Sequence, residues 1–416
     1  MNPFLTTKDL TYSINDVDIL NGIDFSIDEG EFVGIIGPNG AGKTTLLKQL
    51  LGLIVPTSGA VELTGKPLSD MDPKVRAKLE AYLSQDVMTT FSYPVLDIVL
   101  MGRYPYLGRF SRESAADIEI ARRSLTYVGL RNFETRSFDQ LSGGERQLVL
   151  FAKVLAQDAK LLILDEPTSN LDIRHQDQFF SMASELAKEN KAVVAAVHNL
   201  DIAARYCSRL VLLDNGRIAA SGPPKEVLKS SILDSVYGIR TTISTNTATG
   251  SLMVDVVPNR WEQNGPRIHI IGGAGSAINL TRDLARFGCR LTGGVSHQFD
   301  ADEQLWNTLD IPFESVEPFS QISTDDAPKT REWVEEADLT ILCEFPVGSG
   351  NLANLELAAK AKKLLIVEEA VELRQRSFFI DDGEMVFRRI SDGVPSMSYE
   401  ELISAFESGT IAELIK

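Results

Sequence analysis

A chain of 416 residues, 44% hydrophobic and 24% charged, has room for two or three globular domains and is no disordered or low-complexity polymer. A net charge of −17 argues against a phosphate-backbone partner, so nucleic acid is not expected. No run approaches about 18 apolar residues, the N-terminus lacks a secretory pattern, and Cys207, Cys289 and Cys343 lie far apart without metal-like spacing; a cytoplasmic protein with no span of its own is expected.

Taken in chain order, Tyr12 lies on an early β-like segment. The apolar run Phe32–Ile36 then leads into Gly37-Pro38-Asn39-Gly40-Ala41-Gly42-Lys43-Thr44, and Thr45–Leu53 is rich in helix formers. This is the strand–loop–helix setting of a phosphate loop, in which amide hydrogens and a helix N-terminus face an anion. Lys43 is the expected partner of the β- and γ-phosphates, and the Thr44 hydroxyl a ligand of Mg²⁺.

Farther on, Leu141-Ser142-Gly143-Gly144-Glu145-Arg146-Gln147 opens a helix carrying Leu148, Phe151, Ala152 and Leu155 at i, i+3, i+4, i+7, which makes a second anion-receptive N-terminus. Two such loops on separate lobes can enclose one nucleotide only across a symmetric dimer, so a homodimer is expected. The run Leu161–Leu164 reads as a strand buried on both faces and ends in Asp165 and Glu166. Asp165 is suited to hold Mg²⁺ and Glu166 to polarise water. A further apolar strand, Val193–Val197, ends in His198.

These residues together resemble the ATP-binding subunit of an ABC transporter, over residues 3 to 240. The resemblance implies a RecA-like α/β lobe, an antiparallel β lobe and a helical lobe inserted at 86–158. It implies ATP on residues 37–45, stacking of adenine on Tyr12, and ATP contacts from Ser142, Gly143 and Gly144 of the other copy. It also implies a Mg²⁺- and permease-sensing role for Gln85, catalysis by Glu166, a γ-phosphate contact for His198, and an interface loop at Ser169-Asn170-Leu171-Asp172. Glu145 replaces the commoner glutamine, and His198-Asn199-Leu200-Asp201 exchanges two residues of the usual pattern.

Val95–Gly102 followed by Arg103-Tyr-Pro-Tyr-Leu-Gly108 resembles the subgroup that imports iron-siderophores, haem and cobalamin. That likeness implies separate permease subunits, an indirect link to a substrate-binding protein, and a peripheral place on the inner face of the membrane. The aromatic stretch is either a groove for a permease helix or internal packing. The alternative function is a permease-free ABC switch.

Residues 1–240 carry 26 basic and 30 acidic side chains, residues 241–416 carry 15 and 28, so the composition breaks near 240. Residues 241–264, rich in Thr, Asn, Gly and Pro, read either as a linker or as a terminal hairpin of the first domain. Residues 265–416 alternate strand and helix, with strands at Ile268–Ile271, Leu339–Leu342 and Leu364–Val367, and read as a Rossmann-like doubly wound α/β domain. Gly272-Gly-Ala-Gly275 lacks the third glycine and the ribose-binding acid of a dinucleotide fingerprint. This loop and Pro346–Asn351 are either tight turns or a pocket for a small anionic, regulatory ligand.

Overall fold

The computed structural model describes residues 3–84, 92–108, 111–168, 171–257, 263–323, 327–368 and 378–412. The chain divides into two compact units, Met1–Val256 and Val257–Lys416.

The first unit is built on a six-stranded sheet. Its strands run in the order Arg217–Gly222, Arg209–Asp214, Phe32–Ile36, Ala192–Ala196, Leu161–Asp165 and Glu80–Leu83. All pairs are parallel except the edge pair Arg209–Asp214 with Arg217–Gly222. Every residue of Phe32–Ile36, Leu161–Asp165 and Ala192–Ala196 is buried, which is why these strands read as unbroken apolar runs. An antiparallel sheet led by Leu5–Ile14, Val17–Ile23 and Ser58–Leu63 forms a second layer. Between the strands Glu80–Leu83 and Leu161–Asp165 the chain is helical, with Val95–Leu100, 3₁₀ turns over Met101–Tyr106, Ala115–Tyr127 and Gly143–Ala156.

The segment read as a linker is in part a hairpin. Strands Arg240–Thr245 and Leu252–Val257 pair with each other, and Ile243, Leu252 and Val254 pack on the first unit's core. The Val254 amide donates to Asp201 Oδ1 at 2.9 Å. The first unit therefore runs to Val256 rather than to 240, because alternate residues of a Thr-rich stretch find an apolar surface to cover.

The second unit is a six-stranded sheet, parallel throughout. Counted along the chain from Arg267–Ile271, its strands lie in the order 3-2-1-4-5-6. Helices cover both faces. Leu280, Leu284, Trp306 and Leu402 pack with Ile268, Ile270 and Ile341 on one side, while Val334, Leu355 and Ile390 pack with Ile271, Leu342 and Ile366 on the other. Neighbouring residues of one strand thus feed opposite cores, as a sheet buried on both faces requires.

Candidate functional site

Five of the residues singled out in the first unit, Lys43, Thr44, Asp165, Glu166 and His198, converge at the carboxyl ends of three central strands. Residues 37–42 form the loop between the strand Phe32–Ile36 and the helix Lys43–Leu50, with Thr44 and Thr45 in its first turn. Gly42 holds φ 100°, and a side chain there would stand 2.9 Å from the Ile19 carbonyl oxygen and 2.7 Å from Leu20. Leu20 is in turn the cross-strand partner of Tyr12, which leaves Tyr12 one side chain away from the loop. The first amide of the loop, that of Gly37, faces the phenolic oxygen of Tyr237, at the end of the helix Ser230–Tyr237.

Lys43 is almost wholly buried and folds back over the loop, its ammonium donating to the carbonyls of Gly37 (2.8 Å) and Pro38 (2.9 Å). Burial lowers its pKa, and the carboxylates of Glu166 and Asp165 act in the opposite sense. Thr44 Oγ1 donates to Asp165 Oδ1 at 3.1 Å, and Tyr82 OH donates to Asp165 Oδ2 at 3.2 Å. Asp165 is 2% exposed, and loss of water raises its pKa while these two hydroxyls hold it down. Glu166 follows in the left-handed region, φ 47°, a conformation that a non-glycine residue adopts at a cost. Its Oε1 lies 2.6 Å from His198 Nε2. Asn199 caps the next helix by accepting from the amides of Asp201 and Ile202, which fixes the turn that presents His198.

Lys43, Thr44, Asp165, Glu166 and His198 thus share one site. Gln85, Ser169 and Asn170 lie outside the described residues. Ser142, Gly143 and Gly144 open the helix Gly143–Ala156, and no hydrogen bond or ion pair among the described residues joins them to the cluster. Ser142 and Glu145 form a capping box: Ser142 N–H donates to Glu145 Oε2 at 2.8 Å and Glu145 N–H to Ser142 Oγ at 3.3 Å. Glu145, noted above as a departure, therefore closes the helix end on its own chain, and these bonds hold its carboxyl below the usual range. Asp172 is likewise engaged, capping the helix Ile173–Lys188 and bonding His175 Nδ1 at 2.8 Å. Tyr82, Tyr237 and His175 were given no role from sequence. Only Tyr82 left a trace there, as the polar residue of a strand that pairs with the one carrying Asp165.

The aromatic stretch divides between the two readings given above. Arg103 is buried, paired with Asp117 at 2.9 Å, while Tyr104 and Tyr93 face outward.

In the second unit the loop Gly272–Gly275 is filled by its own chain. Ala274 N–H donates to Asp300 Oδ2 (2.9 Å) and Ala277 N–H to Asp302 Oδ1 (3.0 Å), and the amides of Gly275 and Gly273 also face Asp302. Two carboxylates thus occupy the place expected for an anionic ligand, and like charge keeps such a ligand out. Gly348 N–H, in the other loop, donates to Asn351 Oδ1 at 2.8 Å.

No described helix is long and apolar enough to cross a membrane. The model of the ABC transporter family matches residues 20–169, and that of the MJ0874 family residues 291–403. The chain is 37% identical over 324 residues to the cobalamin import ATP-binding protein BtuD of Halobacterium salinarum, which covers 77% of this chain and 81% of that protein. A match of that length exceeds the 256 residues of the first unit and extends into the second. The hemin import ATP-binding protein HmuV of Nocardia farcinica is 40% identical over 241 residues, 58% of this chain and 83% of its own. Among solved structures, one described as an inward-facing conformation of a metal-chelate type ABC transporter superposes with TM-score 0.55 at 29% identity, covering 62% of this chain and 98% of that one. CbiO1 of Clostridium perfringens gives 0.50 at 28% identity, over 56% and 94% of the two chains. With its phosphate loop, paired strand-end acids and strand-end histidine in one site, the chain belongs to the ATP-binding, ATP-hydrolysing subunits of the ABC transporter family.

Proposed function

We propose that this chain energises import of a metal chelate of the haem or corrinoid class through separate permease subunits, from the inner face of the cell membrane. The observation that carries the reading is likeness to cobalamin and hemin import proteins over 324 and 241 residues, joined to the cluster of Lys43, Thr44, Asp165, Glu166 and His198. Tyr93 and Tyr104, exposed on the helical lobe, offer apolar surface for a permease helix. The 3-2-1-4-5-6 strand order supports reading the second unit as a Rossmann-like accessory module.

In this reading Tyr12 stacks on adenine, and residues 37–45 hold the phosphates on amide hydrogens and the helix N-terminus. Thr44 Oγ1 and Asp165 Oδ1, 3.1 Å apart and part-buried, are the hard oxygen donors that suit Mg²⁺, with Gln85 as a further donor. When bound, Mg²⁺ supplies charge neutralisation at the phosphates. Lys43 carries its ammonium to the transferred phosphoryl group. Glu166 orients the attacking water and accepts its proton, while His198, held by Glu166 Oε1, donates toward the γ-phosphate. Ser142, Gly143 and Gly144 complete the site from a second copy, so hydrolysis requires a homodimer, and opening of that dimer resets the permease.

The test is co-purification of a polytopic permease from detergent-solubilised membranes, then ATP turnover with and without a chelate-loaded binding protein. Stimulated turnover is expected. Turnover indifferent to both partners would assign the chain to the permease-free switches instead.

A further inference from the structure

The second unit carries a cavity of about 850 Å³ at the carboxyl ends of its strands, within the range of small-molecule sites (~300–1,000 Å³). Three phenylalanines stand on its rim: Phe299, Phe319 and Phe379 are 77%, 101% and 74% exposed. Folding gains nothing from that exposure. Phe299 and Phe319 moreover hold φ of 72° and 62°, so two bulky residues are kept in a costly backbone conformation while their rings face water. Phe379 is set by the bridge between Val347 and Phe378, its amide donating to the Val347 carbonyl at 2.9 Å, with Phe378 half-buried against the core.

His297 lines the same cavity. Its Nε2 lies 2.9 Å from the Ser320 carbonyl oxygen, which only accepts, so Nε2 carries the proton and a neutral ring keeps its lone pair on Nδ1. A ring nitrogen left bare while the other donates to a backbone carbonyl is the arrangement of a metal-ligating histidine. Yet no group of three His, Cys, Asp or Glu that could hold a bare ion exists among the described residues. A metal at His297 must therefore bring its other ligands with it. Gln298, Ser320 and Asn351 add polar groups to the lining, and the Asp300 carboxylate already accepts from the amides of Ala274 and Asp302, so a flat ring system with polar substituents is accepted on the three phenyl faces.

We propose that the cavity binds a planar, metal-centred macrocycle of the haem or corrinoid type, with His297 Nδ1 as an axial ligand and Phe299, Phe319 and Phe379 against the ring. On binding, one dative bond forms from Nδ1 to the metal and one metal-bound water leaves, with no change of oxidation state. The proposal shares with the import reading only the chemistry of the cargo, and gives the second unit the task of sensing or holding it.

The experiment titrates the full-length chain with haemin and, separately, with diaquocobinamide, and follows the visible spectrum. Metal-free protoporphyrin and the bare ions serve as controls. One equivalent per chain, with the band shift of axial imidazole ligation, is expected for at least one macrocycle; which one responds identifies the class. His297→Ala should abolish the shift, and Phe319→Ser should weaken binding at least tenfold, both with basal ATP turnover unchanged. A chain that gives no saturable shift with either macrocycle, or a shift that survives His297→Ala, overturns the proposal. So does a Phe319→Ser variant altered only in oligomeric state, which would make the rim a protein contact. Permease-stimulated turnover is scored apart: binding without stimulation strikes only the import reading, and stimulation without binding strikes only this one.

Discussion

Tyr82 OH donates to Asp165 Oδ2 across 3.2 Å, and Thr44 Oγ1 takes the other oxygen of the same carboxylate. The tyrosine touches neither Asp165 Oδ1 nor Thr44 Oγ1, yet it fixes the plane of the carboxylate proposed above to hold Mg²⁺. A donor that orients a metal-binding group from behind typically contributes about tenfold or more in metal affinity. Tyr82→Phe should therefore raise the Mg²⁺ concentration for half-maximal ATP turnover about tenfold and leave kcat at saturating Mg²⁺ within about threefold. A Mg²⁺ titration at fixed ATP separates the two; a loss confined to kcat would remove Tyr82 from this role.

Glu166 and His198 are joined at 2.6 Å, so removing the charge of one alters both. Glu166→Gln keeps the side-chain length and a carbonyl oxygen for His198 but cannot accept the proton of water. ATP turnover should fall by about 10²–10⁴ while nucleotide binding persists and an ATP-bound dimer accumulates. Turnover within a few-fold of the parent chain, measured by phosphate release, would exclude Glu166 as the base.

The clustering of Asp165, Glu166 and His198 was legible because these residues sit where strands buried on both faces stop, and an unbroken apolar run marks that point in one dimension. What escaped was whatever depends on a partner distant in sequence. The capping box of Ser142 and Glu145 is local, a serine followed at the third place by a glutamate, and is legible in one dimension. The strand Arg290–His297 and the helix Ala301–Thr308 were harder. Gly293 sits inside that strand, against β propensity, because a side chain there would stand 2.6 Å from the Trp306 ring. The tight approach that demands glycine exists only once the helix is in place. The exposed phenylalanines of the second unit carry no periodicity at all, and only their shared cavity gives them meaning.

Gly144 has a local reason to be glycine. A side chain on it would lie 3.1 Å from the His175 ring, which Asp172 pins from the other side. Gly144→Ala should lower the stability of the first unit by about 1 kcal/mol, and His175→Ala should restore it in the double variant. Calorimetry reads the stability and phosphate release the activity. Hydrolysis should stay impaired in the double variant if, as proposed, Gly144 meets the second copy's nucleotide with its bare backbone. Full recovery of hydrolysis would reduce the glycine to packing within one chain.

Asp302 sets a pH dependence in the second unit. It is fully buried, its Oδ2 has no hydrogen-bond partner, and burial with help from the Asp300 charge pushes its pKa up to about 6 despite the amides of Ala277, Gly275 and Gly273. The ordinary value is 3.8, so between about pH 4 and 6 the folded chain holds a proton that the unfolded chain has lost. Stability from this group is full below about pH 4 and is lost as pH rises through 6, a change of order 2 kcal/mol. All three tryptophans, Trp261, Trp306 and Trp333, belong to the second unit, so urea unfolding of the full chain followed by tryptophan fluorescence reports it selectively. The midpoint should fall from pH 4 to 6.5 in the parent chain and flatten in Asp302→Asn. A slope that persists in the variant would place the titration elsewhere.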